Sequence, residues 1–309
     1  MSGEVIMNIE PVKVNCHNCS GRYDVSDFPP FTKFNCPQCN AVLRVPKKFG
    51  RYLLEKLCAN GGMAQVYRAI DPILLRRVAV KIAKTDSEFG NMKERFLTEA
   101  KLMAPISHTT VVPVYDCGEI GDESFLVMQY MDGGDFEKHM KKQTLPNLEI
   151  LIDHLRNIAV GLHFLFLSHN IVHHDIKPGN IMLSSDGSAK LGDFDFADRR
   201  HQGDITTLCP LWGSPGYISP ERLQNGGEDH RGDIYSLGIT IYELLSGQLP
   251  FGIHGTPDEL YVRRQQPFTP LLKLRPDAEK TVSQLVDGML EFDYNSRPSY
   301  PEIIRTLHW

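Results

Sequence analysis

Ile171-Val-His173-His174-Asp175-Ile-Lys177-Pro-Gly-Asn180-Ile-Met-Leu183, then eight residues, then Gly192-Asp193-Phe194-Asp195, is the stretch on which the reading of this chain turns. Asp175 is a proton acceptor and Lys177 a point cation suited to phosphate oxygens. Asn180 and Asp193 are hard oxygen donors of the kind that divalent cations take. Groups of these types, brought together, can hold a nucleoside triphosphate with its metals and present a hydroxyl to it.

Upstream, Leu148 to Leu167 carries apolar residues at 148, 151, 152, 155, 158, 159, 162, 165 and 166, the spacing of a long buried helix that delivers the strip. Arg51 to Ala69 reads as strand, Gly-rich turn (Ala59-Asn-Gly61-Gly62-Met63-Ala64) and strand. Backbone N–H groups on such a turn can approach phosphates closely, because glycine has no side chain. Val78-Ala79-Val80-Lys81 is a short apolar strand ending in a lysine. Asn91 to Leu102 is an amphipathic helix carrying Glu99. Val111 to Asp116 reads as a strand, and Ser124 to Asp135 as a buried strand ending in a glycine turn.

The strip resembles the protein-kinase catalytic loop H-R-D-x-x-x-x-N followed by D-F-G, and Val78–Lys81 resembles the V-A-I-K strand. Gly61-Gly62-Met63-Ala64-x-Val66-Tyr67 and Asp175-x-Lys177-Pro-x-Asn180 are similar to bacterial serine/threonine kinases of the eukaryotic-like type. This resemblance implies an α+β, two-lobed fold, with a small β-rich lobe over about 49–130 and a large helical lobe over about 131–309. It implies transfer of the γ-phosphoryl of ATP, with Mg2+ or Mn2+, to Ser or Thr of a protein. Asp175 would take or orient the substrate hydroxyl's proton, Lys177 would neutralise the moving phosphoryl, and Lys81 would pair the α/β-phosphates and Glu99. Asn180 and Asp193 would hold the metal ions. Ala59, Gly61, Gly62, Ala64, Val66 and Ala79 would line the nucleotide, Met128 would limit its pocket, and backbone groups of Gln129 and Met131 would hold the adenine edge. Ser214 matches the activation-segment position that touches the catalytic loop, Asp233 the aspartate that anchors that loop from the next helix, and Arg297 the buried partner of Glu221. His173 matches a structural histidine packed beside Phe194.

Three positions depart from the pattern: Ala59 for Gly, His174 for Arg and Asp195 for Gly. They motivate an alternative, a pseudokinase that binds nucleotide or partners as a scaffold. Imidazole is shorter than guanidinium and mostly neutral at pH 7. Activity is therefore expected not to depend on phosphorylation of the activation segment, at Thr206 or Thr207. Asp195 stands where glycine's backbone freedom is usual.

Cys16-His-Asn-Cys19 and Cys36-Pro-Gln-Cys39 are two C-x-x-C pairs separated by sixteen residues. Each aims two sulfurs at one centre, and the four thiolates fit a closed tetrahedral Zn2+ with no position for catalytic water. Tyr23, Val25, Phe34, Val42, Leu43 and Val45 supply short strands around them, giving a structural zinc ribbon over 1–48 that precedes a kinase domain over 49–309. Residues 11–51 hold seven Lys/Arg against Asp24 and Asp27, a local +5 able to dock a partner. The whole-chain charge of -5 argues against wholesale nucleic-acid or anionic-membrane binding.

The start M-S-G-E-V-I lacks the basic and apolar regions of a secretory signal. No run of about 18 apolar residues occurs, so no membrane span is expected. The seven cysteines, four in tight pairs, suit a reducing cytoplasm and a metal better than a disulfide framework. The resemblance covers roughly 52–309, so no sensor or membrane anchor is expected within this sequence.

Overall fold

The computed structural model describes residues 11–84, 92–200, 213–225 and 227–307. Thr206, Thr207 and Cys209, and Asn91 at the expected helix start, lie outside them. The described chain divides into two compact units: everything up to Ala100 with Val114–Tyr130, and Lys101–Pro113 with Met131 onward.

The first unit begins with two small hairpins. β1 (Lys13–Asn15) pairs antiparallel with β2 (Arg22–Asp24), and β3 (Lys33–Asn35) with β4 (Val42–Arg44). There follow β5 (Lys47–Phe49), β6 (Tyr52–Asn60), β7 (Ala64–Asp71), β8 (Arg76–Ala83), α1 (Met92–Met103, running into the second unit), β9 (Val114–Ile120) and β10 (Glu123–Gln129). The six strands form one antiparallel sheet in the order β5-β6-β7-β8-β10-β9. The strand expected from Val111 starts instead at Val114, after Pro113, whose ring nitrogen has no hydrogen to give a ladder.

Strand alternation sorts this sheet into two faces. Phe49, Tyr52, Leu54, Tyr67, Val78, Val80, Ile82, Phe125 and Val127 cluster as its core. Phe31, from between β2 and β3, packs on that core and stacks on Tyr67 with ring centroids 6.0 Å apart. The Cys-bearing hairpins are thus fastened to the sheet by an aromatic contact as well as by chain continuity.

The second unit is mainly helical. In chain order it contains β11 (Gly134–Asp135), α2 (Phe136–Lys142), α3 (Leu148–His169), β12 (Ile171–Val172), β13 (Ile181–Leu183), β14 (Ala189–Leu191), β15 (Asp198–Arg199), α4 (Pro220–Asn225), α5 (His230–Ser246), α6 (Pro257–Arg264), α7 (Leu271–Leu274), α8 (Lys280–Met289) and α9 (Tyr300–Thr306). Asn147 caps α3 by accepting the Ile150 N–H, and Asn170 ends it in the left-handed region at φ 54°.

By length and mean composition alone α3 is long and apolar enough to cross a membrane, although polar residues interrupt it and it holds no unbroken apolar run of about 18. Its stripe of Leu151, Ile152, Leu155, Ile158, Ala159, Leu162 and Leu165 is buried, and the helix packs on α5, α9, β12 and β14 of its own unit. That is the pattern of a core helix.

Candidate active site

In the first unit, cross-strand partners share a face, so register alone collects part of the expected nucleotide set. Ala59 faces Val66, Val66 faces Lys81, Ala64 faces Ala83, and Ala79 faces Met128. Ala59, Ala64, Val66, Ala79, Lys81 and Met128 therefore lie on one side of the sheet, opposite the core cluster. Gly61 and Gly62 are exposed at the turn, which is closed by a bond from the Gly61 N–H to the Ala64 carbonyl at 3.0 Å. Gln129 ends β10, half-buried.

Lys81 is 4% and Glu99 6% exposed, and the lysine Nζ donates to both carboxylate oxygens at 3.3 and 3.4 Å. A buried ammonium without a carboxylate would be costly, so the pair fixes the depth at which α1 meets β8. The Phe96 ring lies 5.7 Å from the same Nζ.

In the second unit, Asp175 is the hub. Its Oδ2 accepts from Lys177 Nζ at 2.7 Å and Asn180 Nδ2 at 2.9 Å, while Oδ1 accepts the Ser214 N–H at 3.1 Å. Lys177 also donates to Ser214 Oγ at 2.8 Å. Gly213, just before, has φ 128°, a backbone state that favours glycine and lets the segment approach Asp175. Asn180 donates again to the Asp175 carbonyl at 2.7 Å, and its own carbonyl accepts the Gly192 N–H at 2.9 Å. That last bond ties the loop to Asp193, which lies in the left-handed region at φ 63°. Met131 is buried at the start of this unit.

Beneath the loop, Asp233 of α5 accepts the N–H groups of His173 at 2.7 Å and His174 at 2.8 Å. Burial pushes the Asp233 carboxyl up to about 6. The fully buried His173 packs on Phe194 with ring centroids 4.6 Å apart, and burial pulls its imidazole down to about 4. It is thus a neutral packing residue, and its Nε2 lies 3.2 Å from the Gly192 carbonyl.

His174 behaves in the opposite way, and here the expectation of a mostly neutral imidazole is corrected. Burial alone would discharge it. Hydrogen bonds to Asp198 at 2.9 Å and Glu228 at 2.8 Å outweigh that and raise it to about 9.

The other departures are also accommodated. Asp195 has no positive φ, so it asks for none of glycine's freedom, while Ala59 is exposed at the turn. Further on, Arg297 grips Glu221 through two bonds of 2.7 and 2.8 Å, both side chains buried. The residues that motif reading missed are Glu228, Asp198 and Arg222. Glu228 is 2% exposed, a burial that an acid tolerates only with partners. No spacing rule marks it.

The four Cys16, Cys19, Cys36 and Cys39 sulfurs lie within 4.8 Å of one another, with Cys16–Cys39 and Cys19–Cys36 each at 3.5 Å. The edge of a tetrahedron with metal–sulfur bonds of ~2.3 Å is about 3.8 Å, so the donor set fits one ion. The two knuckles repeat each other. Cys16 N–H bonds the Gly21 carbonyl and Cys36 N–H the Ala41 carbonyl, with Ser20 and Asn40 both at φ 60°. Tyr23 OH, 3.1 Å from Cys36 Sγ, supplies the kind of outer contact that orients a metal ligand.

A β-sheet unit with a buried strand lysine paired to a helix glutamate, followed by a helical unit whose loop sets Asp175 among Lys177, Asn180 and Ser214, defines the protein-kinase class. The protein kinase domain model matches residues 52–308, and the chain belongs to that family. A probable serine/threonine-protein kinase of Clostridium acetobutylicum is 35% identical over 245 residues, 78% of this chain and 37% of that protein. The serine/threonine-protein kinase PknL of Mycobacterium tuberculosis is 36% identical over 204 residues, 65% of this chain and 50% of that one. PknA of the same species is 33% identical over 244 residues, covering 77% and 56%. The chain therefore spans between about a third and just over half of the length of these relatives.

Proposed function

We propose that this chain is a serine/threonine protein kinase that moves the γ-phosphoryl group of ATP to a Ser or Thr hydroxyl of a protein. The observation that carries the reading is the Asp175 carboxylate held by Lys177, Asn180 and the Ser214 amide, with Lys177 bridging to Ser214. A carboxylate so oriented can accept a hydroxyl proton as the hydroxyl attacks. Lys177, a rotatable ammonium, can follow the charge that gathers on the transferred group. Lys81, fixed by Glu99, pairs the α/β-phosphates, and the turn 59–64 covers them with backbone N–H groups. Val66, Ala79 and Met128 line the adenine, whose edge meets the backbone of Gln129 and Met131. Asn180 and Asp193 offer hard oxygens for Mg2+, which when bound neutralises phosphate charge.

The substrate class is assigned as protein because the relatives carry that name. Residues 1–48 form a zinc ribbon ahead of a kinase domain over 49–309, with a structural ion held by four cysteine thiolates and a basic surface for a partner. Reduced thiols of this kind suit the cytoplasm. Incubation with labelled ATP, Mg2+ and a generic Ser/Thr protein substrate tests the reading. Transfer that disappears in Asp175→Asn supports it, and transfer surviving that change unaltered sinks it.

A further inference from the structure

Around His174 the second unit buries more charge than the reaction requires. His174 lies at φ 67°, its ring wholly enclosed, with Nδ1 on Glu228 and Nε2 on Asp198. Glu228 also takes Arg222 Nη1 at 3.2 Å and the hydroxyl of Ser219. Arg222 Nη1 then returns to the His174 carbonyl at 2.7 Å. Asp198 takes two bonds from the Arg200 Nε, at 2.9 and 2.8 Å, and one from its Nη2 at 2.7 Å. Gly232 leaves room for this arrangement: a methyl group there would sit 1.9 Å from Glu228 Oε2. Each cation of the group, His174, Arg200 and Arg222, already faces Asp198 or Glu228.

We infer that Asp198, on the strand that follows Asp193, is a positioning residue for Asp175: it closes the clamp on His174 with a carboxylate of the chain itself, so the catalytic loop is set without a phosphoryl group. The path is short. Asp175 follows His174 directly, and β12, which leads into the loop, pairs with β15 through Val172 opposite Asp198. Breaking the clamp frees that pairing and the peptide that aims Asp175. A phosphoryl group delivered to this cluster would meet two carboxylates already in the places it would take. Charge on His174 is held from every side, by Asp198 of β15, Glu228, and Asp233 of α5. Arg222 of α4, Arg200 and the neutral His173 stand around them. The inference rests on the kinase reading for its rate effects, but not for its structural ones.

Two measurements on the full chain decide it. The His174 ring is titrated by NMR with labelled histidine in wild type and in Asp198→Asn, and phosphotransfer is followed in both, before and after phosphatase treatment. We expect the wild-type ring to stay protonated through pH 8 and to titrate at least about one pH unit lower in the variant. The kcat should fall on the order of ten- to hundredfold in Asp198→Asn with KM for ATP unchanged, and recover in part in Asp198→Glu. Phosphatase-treated wild type should keep its rate. His174→Arg should lose any alkaline limb that the wild-type pH profile shows near 9, since guanidinium does not titrate there. A ring titrating near its ordinary value in wild type, an unchanged rate in Asp198→Asn, or activity erased by phosphatase would overturn the inference. A wild type with no phosphotransfer at all would end the kinase reading, and the NMR titration would still decide the clamp.

Discussion

At the scale of single residues, charge placement does the sorting. His173 and His174 are neighbours, equally buried, and driven in opposite directions: one faces a carbonyl and a phenyl ring, the other two carboxylates. The sign for His174 follows from its raised value. Its contribution to stability is complete below its unfolded value near 6.5, declines as pH rises, and is gone above about 9. The full effect is about 3 kcal/mol. Chemical denaturation at pH 6 and pH 10 should show a loss of that order in wild type, and His174→Gln should flatten that part of the profile. The Arg297–Glu221 pair makes a second prediction. Glu221→Ala strands a buried guanidinium and should cost about 3–5 kcal/mol, with Tm lower by on the order of 10 °C. Calorimetry of wild type and variant checks it.

Among elements, the sequence was most readable where chemistry imposes spacing. Lys81, Glu99, Asp175, Asn180 and Asp193 stand out in the sequence through their places in motif strings, and the structure sets Lys81 against Glu99 and Asp175 against Asn180. The cysteine knuckles were legible because two residues between sulfurs is what a single ion demands. Glu228 was not legible, since its partners are His174 of the loop and Ser219 and Arg222 at the start of α4, and nothing in its own sequence distinguishes it from a solvated acid. Apolar periodicity runs from Leu148 to Leu167, two residues short of the end of α3, because the polar Ser168 and His169 complete its last turn. The strand expected from Val111 was started early because Pro113 outweighs the valines around it.

The knuckles carry their own test. Chelation of the full chain, or Cys36→Ser, should release one zinc per chain and expose the Phe31–Tyr67 contact, lowering the first thermal transition. Tryptic susceptibility between residues 20 and 45 should rise with it. Release of no metal from protein purified without chelator would refute the ribbon assignment.

For the molecule as a whole, each of the two units carries its own set of candidate residues. The sheet unit offers a buried lysine and a face of small and apolar residues. The helical unit offers an acid, an amide and an acid on a loop braced from below by Asp233. Nucleotide binding should therefore stabilise the folded chain by mass action, about 2.7 kcal/mol at a hundredfold excess over Kd, and require both Lys81 and Asp193. Thermal shift with ATP and Mg2+ in wild type, Lys81→Met and Asp193→Asn reads this directly.

The decisive measurement is phosphoryl transfer from γ-labelled ATP to protein serine or threonine, run side by side in wild type and Asp175→Asn. The account predicts label on phosphoserine or phosphothreonine with wild type and a rate lower by on the order of a thousandfold with the variant. Nucleotide bound by wild type with no transfer to any protein, or equal transfer by the two proteins, would contradict it.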